Sequence, residues 1–178
     1  PLIVKPSREG STIGITKVTS VDRGELAGAY AEAAKHDPLV LVEEFVQGVE
    51  LTASIVGRRT LPLIRIEAPQ GNYDYQNKYF SDETRYFCPA GLSEDVEQAI
   101  RAQSLAAFDL IGCEGWGRLD LILDPAGHWT FLEVNTSPGM TDHSLVPMAA
   151  RHAGISFEAL CVRILEAATL MDGERRVG

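Results

Sequence analysis

Cysteine is scarce and badly placed for pairing. Cys88, Cys113 and Cys161 are an odd number at wide spacing with no Cys-x-x-Cys. That argues against a disulfide framework and a thiolate zinc site, and points to reduced thiols in a cytosolic protein. No apolar run approaches the ~20 residues of a membrane span, and no signal peptide is visible. Basic runs are also missing. Lys and Arg number 16 against 25 Asp and Glu, a net charge of −9, so neither nucleic acid nor an anionic membrane surface is an expected partner. His36, His128 and His152 are scattered and read as surface residues. There is no internal repeat, no low-complexity tract and no Walker A loop, since no Gly-Lys-Ser/Thr opens a helix. Nor is there an initiator Met: the chain starts Pro1-Leu2-Ile3-Val4-Lys5, already in a strand pattern, and is expected to be a fragment of a longer polypeptide. What remains is 178 residues, 45% hydrophobic and 23% charged, enough for one domain or two small lobes.

The most informative stretch runs from 115 to 147. In Gly117-Arg118-Leu119-Asp120-Leu121-Ile122-Leu123, alternation puts Arg118 and Asp120 on one face and the odd-numbered leucines on the other. Asp124-Pro125-Ala126-Gly127 has turn chemistry. In Phe131-Leu132-Glu133-Val134-Asn135, Glu133 and Asn135 share a face. These are the two arms of a hairpin. With Asp124 paired to Gly127, Arg118 lies opposite Glu133 and Asp120 lies diagonally from it, at roughly 7–8 Å; a bulge at Gly127 would change that register. Two hard oxygen ligands side by side suit Mg²⁺. The plain alternative is a solvated hairpin face with a structural Arg–Glu pair. Pro138-Gly139 then turns the chain sharply, and such a turn can expose N–H groups to an anion.

The remaining chain supplies a scaffold. Residues 2–5 and 13–18 read as strands around a polar loop, whose N–H groups could cover phosphates or form a plain hairpin. Residues 22–36 read as a helix, with Asp22 as cap, Glu25 completing a capping box, a Val21–Leu26 staple, and Leu26, Tyr30 and Ala33 facing inward. Strands follow at 38–46, 49–56 and 60–66, with Glu43 and Glu50 flanking the Gln47-Gly48 turn. Taken alone, those glutamates are surface residues. Between 68 and 89 the periodicity breaks. A loop this long inside a domain is functional or disordered, and its three Tyr and one Phe favour a packed lid. Helices are expected at 93–111, capped by Ser93 and stopped at Gly112, at 145–153 before Gly154, and at 156–171, capped by Ser156 with Ile155 stapled to Leu160. A polar tail from 173 to 178 closes the chain.

The strings Gly-Trp-Gly-Arg-Leu-Asp (115–120), Leu-Glu-Val-Asn-Thr-Ser-Pro-Gly-Met-Thr (132–141) and His-Ser-Leu-Val-Pro (143–147) resemble the C-terminal part of the D-alanine–D-alanine ligases, members of the ATP-grasp superfamily. Val-Lys-Pro-Ser-Arg-Glu-Gly-Ser (4–11) and the Lys78-Tyr79 pair extend the resemblance from Pro1 to about Met171. It implies an α+β ATP-grasp fold, with antiparallel or mixed sheets, flanking helices and two lobes around an ATP cleft. Residues 1–42 would end the central lobe and 43–178 would form the catalytic lobe, with an N-terminal substrate domain absent.

By the same resemblance, Lys5 and Lys78 touch the ATP phosphates, while Glu43 and Glu50 take the ribose hydroxyls. Asp120, Glu133 and Asn135 hold Mg²⁺, with Mn²⁺ as an alternative. Arg118 and the Gly139 N–H stabilise the oxyanion, and Ser11 and Tyr79 meet across the closed site. Ser144 and the Leu145 N–H receive the second substrate's carboxylate. The implied reaction joins two D-alanines through an acyl phosphate for peptidoglycan synthesis, in a cytoplasmic homodimer. Two rivals remain. A ligase coupling D-alanine to a hydroxy acid is one, although the Tyr-Asp-Tyr-Gln-Asn-Lys-Tyr lid (73–79) resembles the dipeptide enzymes. The other is a nucleotide-binding module without catalysis, which would have no need of Arg118 together with Lys78.

Overall fold

A computed structural model of the chain describes residues 1–10, 12–20, 23–67 and 84–168. They fall into two compact units, one of residues 1–47 and 67–85, the other of 48–66 and 86 onward.

The first unit holds an antiparallel sheet in the order β2-β1-β3, built from β1 (Leu2–Pro6), β2 (Thr16–Val18) and β3 (Val40–Glu44). Helix α1 (Arg23–Ala33) packs on it. The core is small: Val4, Val18, Ala29 and Ala33, flanked by Leu2, Leu26 and Val40. The expected inward face of α1 is corrected at one position. Tyr30 is 52% exposed, and Ala29 takes the inward place, because two alanines let the helix lie close to the sheet. The helix also ends three residues early, with a turn at 34–36. Asp22 and Val21 lie outside the described residues. Glu25 uses both carboxylate oxygens to accept the N–H groups of Thr19 and Ser20, each at 2.8 Å. The first stretch of this unit ends at Gln47, just past Glu43 and Glu44, which complete β3 opposite Ile3 and Leu2.

One ion pair anchors the loop after β1. Asp37 is 3% exposed. Its Oδ2 accepts from Arg8 N and Nε at 2.9 Å, and its Oδ1 accepts from Arg8 Nη2 at 2.7 Å and Leu39 N at 2.9 Å. The Arg8 guanidinium, then the Leu39 N–H, hold the Asp37 carboxyl well below the usual carboxylate range.

The second unit holds a six-stranded sheet in the order β7-β6-β4-β8-β9, with β5 also paired to β4; β4 runs antiparallel to β5, β6 and β8, and β8 antiparallel to β9. The strands are β4 (Val49–Val56), β5 (Arg59–Thr60), β6 (Ile64–Glu67), β7 (Arg85–Phe87), β8 (Trp116–Leu123) and β9 (Trp129–Asn135). The single strand expected at 60–66 is two, because Leu61-Pro62-Leu63 interrupts it and Pro62 has no N–H for a ladder. Odd residues of β4 and β8 form the core: Leu51, Ala53, Ile55, Leu119 and Leu121 pack with Ile100 and Phe108 of α2 (Glu94–Leu110). Gly117 permits this close fit, since a Cβ there would lie 2.7 Å from the Phe108 ring and 2.9 Å from the Asn135 carbonyl. Ser93 flanks α2 without a side-chain cap bond; Glu94, Asp95 and Glu97 supply the negative charge its N-terminus favours. Ser156 does cap α4 (Phe157–Ala167), its hydroxyl accepting from Ala159 N. Gly112 and Gly154 end α2 and α3 (Leu145–His152) with positive φ, and Cys113 N and Ile155 N reach back to Phe108 O and Ala150 O.

Candidate active site

The β8–β9 hairpin forms as its sequence suggests, but in a different register. Its turn is closed by Asp124 N to His128 O at 2.8 Å, with Gly127 at φ +89°. The Asp124 carboxylate accepts the His128 N–H at 2.8 Å, which lowers its pKa. This three-residue loop pairs Leu123 with Trp129 and Leu121 with Phe131. Continued unchanged, the register would set Glu133 opposite Leu119, on the core side of the pleat. A bulge between Asp120 and Leu121 prevents that: Leu132 is the extra residue, and it is 37% exposed. Beyond the bulge Asp120 faces Glu133, and Arg118 faces Asn135. The expected Arg118–Glu133 opposition is therefore corrected. Asp120 and Glu133 are direct rather than diagonal neighbours, so their side chains approach more closely than expected.

Arg118 accordingly pairs with Asp120. Its Nε donates to Oδ1 at 2.8 Å and its Nη2 to Oδ2 at 2.7 Å. Both side chains are nearly buried, at 13% and 10% exposure. Asn135 Nδ2 donates to Asp120 Oδ2 at 3.1 Å and to Glu133 Oε1 at 3.2 Å. The expected metal residues Asp120, Glu133 and Asn135 thus converge on one sheet face. A half-turn of the Asn135 amide would replace its N–H₂ with its oxygen, giving three hard donors around one point. Among the described residues no group of three or more His, Cys, Asp and Glu could hold an ion. The donor set fits Mg²⁺ under one condition: the ion must draw its remaining ligands from phosphates and water, as Mg²⁺ commonly does.

Strand β4 extends this face. Glu50 pairs with Ile122, Thr52 with Asp120 and Ser54 with Arg118. The ribose candidate Glu50 therefore lies in the same row of residues as the carboxylate site. Thr52 and Ser54 are fully buried, and their hydroxyls have no hydrogen-bond partner. Neither was singled out from the sequence, although alternation from Glu50 already places them on its face.

Past β9, Ser144 caps α3 in extended backbone and leaves the first N–H groups of the helix, Leu145 included, at an open end. Ser144 Oγ accepts from Thr141 N at 3.0 Å and meets Thr141 Oγ1 at 2.8 Å. A Cβ on Gly139 would stand 2.9 Å from Ser144 Oγ, so the Gly139 backbone lies close beside this hydroxyl. The expected carboxylate receptor (Ser144, Leu145) and oxyanion donor (Gly139) are therefore one local assembly. In the first unit, Lys5 Nζ lies 2.6 Å from Glu43 Oε2, so the expected phosphate and ribose residues pair with each other. Ser11, Lys78 and Tyr79 lie outside the described residues.

Residues 1–166 match the family model described as D-ala D-ala ligase C-terminus. The chain belongs to the D-alanine–D-alanine ligase family. It is 63% identical over 165 residues to a D-alanine–D-alanine ligase of Nitrosospira multiformis, covering 93% of this chain and 53% of that protein. It is 58% identical over 170 residues to one from an Azoarcus species, covering 96% and 55%. The chain thus spans about half the length of the curated relatives it matches. Among solved structures, the VanG D-Ala:D-Ser ligase of Enterococcus faecalis superposes with a TM-score of 0.83 at 34% identity, covering 94% of this chain and 49% of that one. The Bacillus anthracis D-alanine–D-alanine ligase superposes at 0.80 and 33%, covering 94% and 54%. The α+β ATP-grasp architecture expected from the sequence is the one this ligase family shares.

Proposed function

We propose that the polypeptide containing this chain is an ATP- and Mg²⁺-dependent, ADP-forming ligase that joins two D-alanines into D-alanyl-D-alanine. The observation that carries the reading is the Arg118–Asp120–Asn135–Glu133 cluster, two carboxylates and a carboxamide with an oriented guanidinium beside them, in a chain of this family. The first D-alanine's carboxylate attacks the γ-phosphorus and ADP leaves. The second D-alanine's amine then attacks the acyl phosphate, and phosphate departs. Asp120, Glu133 and Asn135 would hold Mg²⁺ (or Mn²⁺), which offsets phosphate charge during the transfer. Arg118, released from Asp120, turns its planar fork to the developing oxyanion, with the Gly139 N–H as a second donor. Ser144 O–H and Leu145 N–H take the second substrate's carboxylate at a helix N-terminus, where an anion is favoured. Lys5 and Lys78 meet phosphate oxygens, Glu43 and Glu50 the ribose hydroxyls, and Ser11 and Tyr79 close the site. Support for ATP comes also from the Bacillus anthracis ligase solved with ATP, which superposes at a TM-score of 0.73 and 29% identity.

The reading includes a cytoplasmic homodimer making a peptidoglycan precursor. No described helix is long and apolar enough to cross a membrane. Because a D-Ala:D-Ser ligase superposes so well, the second acceptor must be tested directly. The experiment measures phosphate release by the full polypeptide with ATP and Mg²⁺, alone and with D-alanine, D-serine or D-lactate added. Release and dipeptide formation that need D-alanine alone support the reading. A preference for D-lactate would make it a depsipeptide ligase, and release indifferent to every acceptor would sink it.

A further inference from the structure

Two fully buried hydroxyls without partners lie directly across β4 from the two most important side chains of β8. Thr52 pairs in register with Asp120, and Ser54 with Arg118. Cβ atoms at such opposed positions lie about 4.5–5.5 Å apart, so a hydroxyl needs only a χ1 change to reach its neighbour's polar end. An unpartnered buried hydroxyl is unfavourable, while Val or Ala there would avoid the loss. Helix α3 packs along β4, and none of its buried residues belongs to the cluster under the opposite face. The hydroxyl row is therefore sealed from water in the state described. Asp120 is not saturated either. Its Oδ2 has two donors, Arg118 and Asn135, but its Oδ1 has only Arg118 Nε.

We propose that Thr52 and Ser54 are positioning residues for the loaded site: when Arg118 leaves Asp120, Thr52 O–H donates to the Asp120 carboxylate and Ser54 Oγ accepts from Arg118. The inference rests on the ligase reading, because that reading requires the Arg118–Asp120 pair to open. A cation and a phosphoryl group arriving together compete for the two partners. Without a substitute bond, Asp120 would turn to the ion with one oxygen unsupported. The β4 hydroxyls add a bond to each side chain and fix both in the orientation the reaction uses.

The test uses the full polypeptide with Thr52→Val, Thr52→Ser and Ser54→Ala. Three quantities are read: the melting temperature with and without Mg²⁺ and a non-hydrolysable ATP analogue, Mn²⁺ binding by paramagnetic resonance with the same analogue, and the Mg²⁺ midpoint of D-alanine-dependent phosphate release. For Thr52→Val the ligand-free melting temperature should rise by roughly 2–4 °C. Its Mg²⁺ and Mn²⁺ midpoints should rise on the order of tenfold, as loss of one charge-assisted bond implies. Thr52→Ser, which keeps the hydroxyl, should restore the ion midpoints. Ser54→Ala should lower the maximal rate with little change in ion midpoint. A Thr52→Val protein with wild-type Mn²⁺ and Mg²⁺ midpoints overturns the proposal, while the ligase reading survives if wild type still needs D-alanine. A wild type indifferent to D-alanine removes both.

Discussion

Each of the two units holds an Arg–Asp pair in which two guanidinium nitrogens reach the carboxylate, and these two pairs are built differently. In the first, Asp37 receives four donors, two from the Arg8 guanidinium and two from backbone N–H groups, so each carboxylate oxygen is doubly occupied. Arg8 itself is 70% exposed at the side chain. The pair joins residues 29 apart in sequence and fixes the loop leaving β1. In the second, Asp120 receives three donors, all from side chains, and both members of the pair are nearly buried. Backbone donors cannot leave without unfolding the loop; side-chain donors can rotate away. A saturated pair is an anchor, and a pair with a vacancy and movable donors is a site. Both pairs have good geometry, so geometry alone does not separate the two cases; the chemistry of the donors does.

The largest expected effect breaks the second pair. In the full polypeptide, Arg118→Ala should slow D-alanine-dependent phosphate release by on the order of 10²–10³, the usual consequence of losing one oxyanion donor. Arg118→Lys should recover little, because an ammonium cannot copy a planar fork that engages Asp120 through two nitrogens. Arg8→Lys, on an exposed anchor, should leave the rate nearly unchanged. A rate for Arg118→Ala within a few-fold of wild type would make Arg118 a second structural partner and erase the distinction. Next in size, Glu133→Gln should keep the fold by circular dichroism but raise the Mg²⁺ midpoint by at least roughly 10-fold, the smallest loss typical of removing even an indirect support of a metal. An unchanged midpoint would leave the hairpin without a metal role.

Much of this was legible from the chain. Alternation in β8, the Asp124-Pro125-Ala126-Gly127 turn and the glycine stops after α2 and α3 are local signals, and the structure follows them. The Arg118 partner was not legible, because it depends on the register, which a single extra residue changes. A trace of that residue is nevertheless present. Trp129, Phe131 and Val134 all pack against the core, and the spacing 129, 131, 134 changes parity at Leu132, where the bulge sits. Tyr30 was misplaced for a different reason: apolar periodicity does not weigh size, and the small core of the first unit favoured Ala29. The hydroxyls of Thr52 and Ser54 are not legible, because polar residues alternating along a strand carry no signal by themselves. Only burial makes them informative.

The smallest expected effect tests the anchor itself, through pH. The Arg8 guanidinium and the Leu39 N–H hold Asp37 well below its ordinary pKa. A carboxyl depressed in the native state adds stability above its unfolded pKa of about 3.9, and that contribution is lost as pH falls through the lower native value. Glu32, Asp124 and Glu158 are also lowered, so the wild-type curve alone mixes several carboxyls. The difference between wild type and Asp37→Asn isolates one. Melting temperatures should differ by a constant amount from neutrality to about pH 5, with the variant lower, and the gap should narrow once pH drops below about 4. A gap that stays constant to strong acid would mean Asp37 titrates like an unpaired carboxyl. In that case the four-donor arrangement contributes packing only, and the two Arg–Asp pairs would differ less than their bonding indicates.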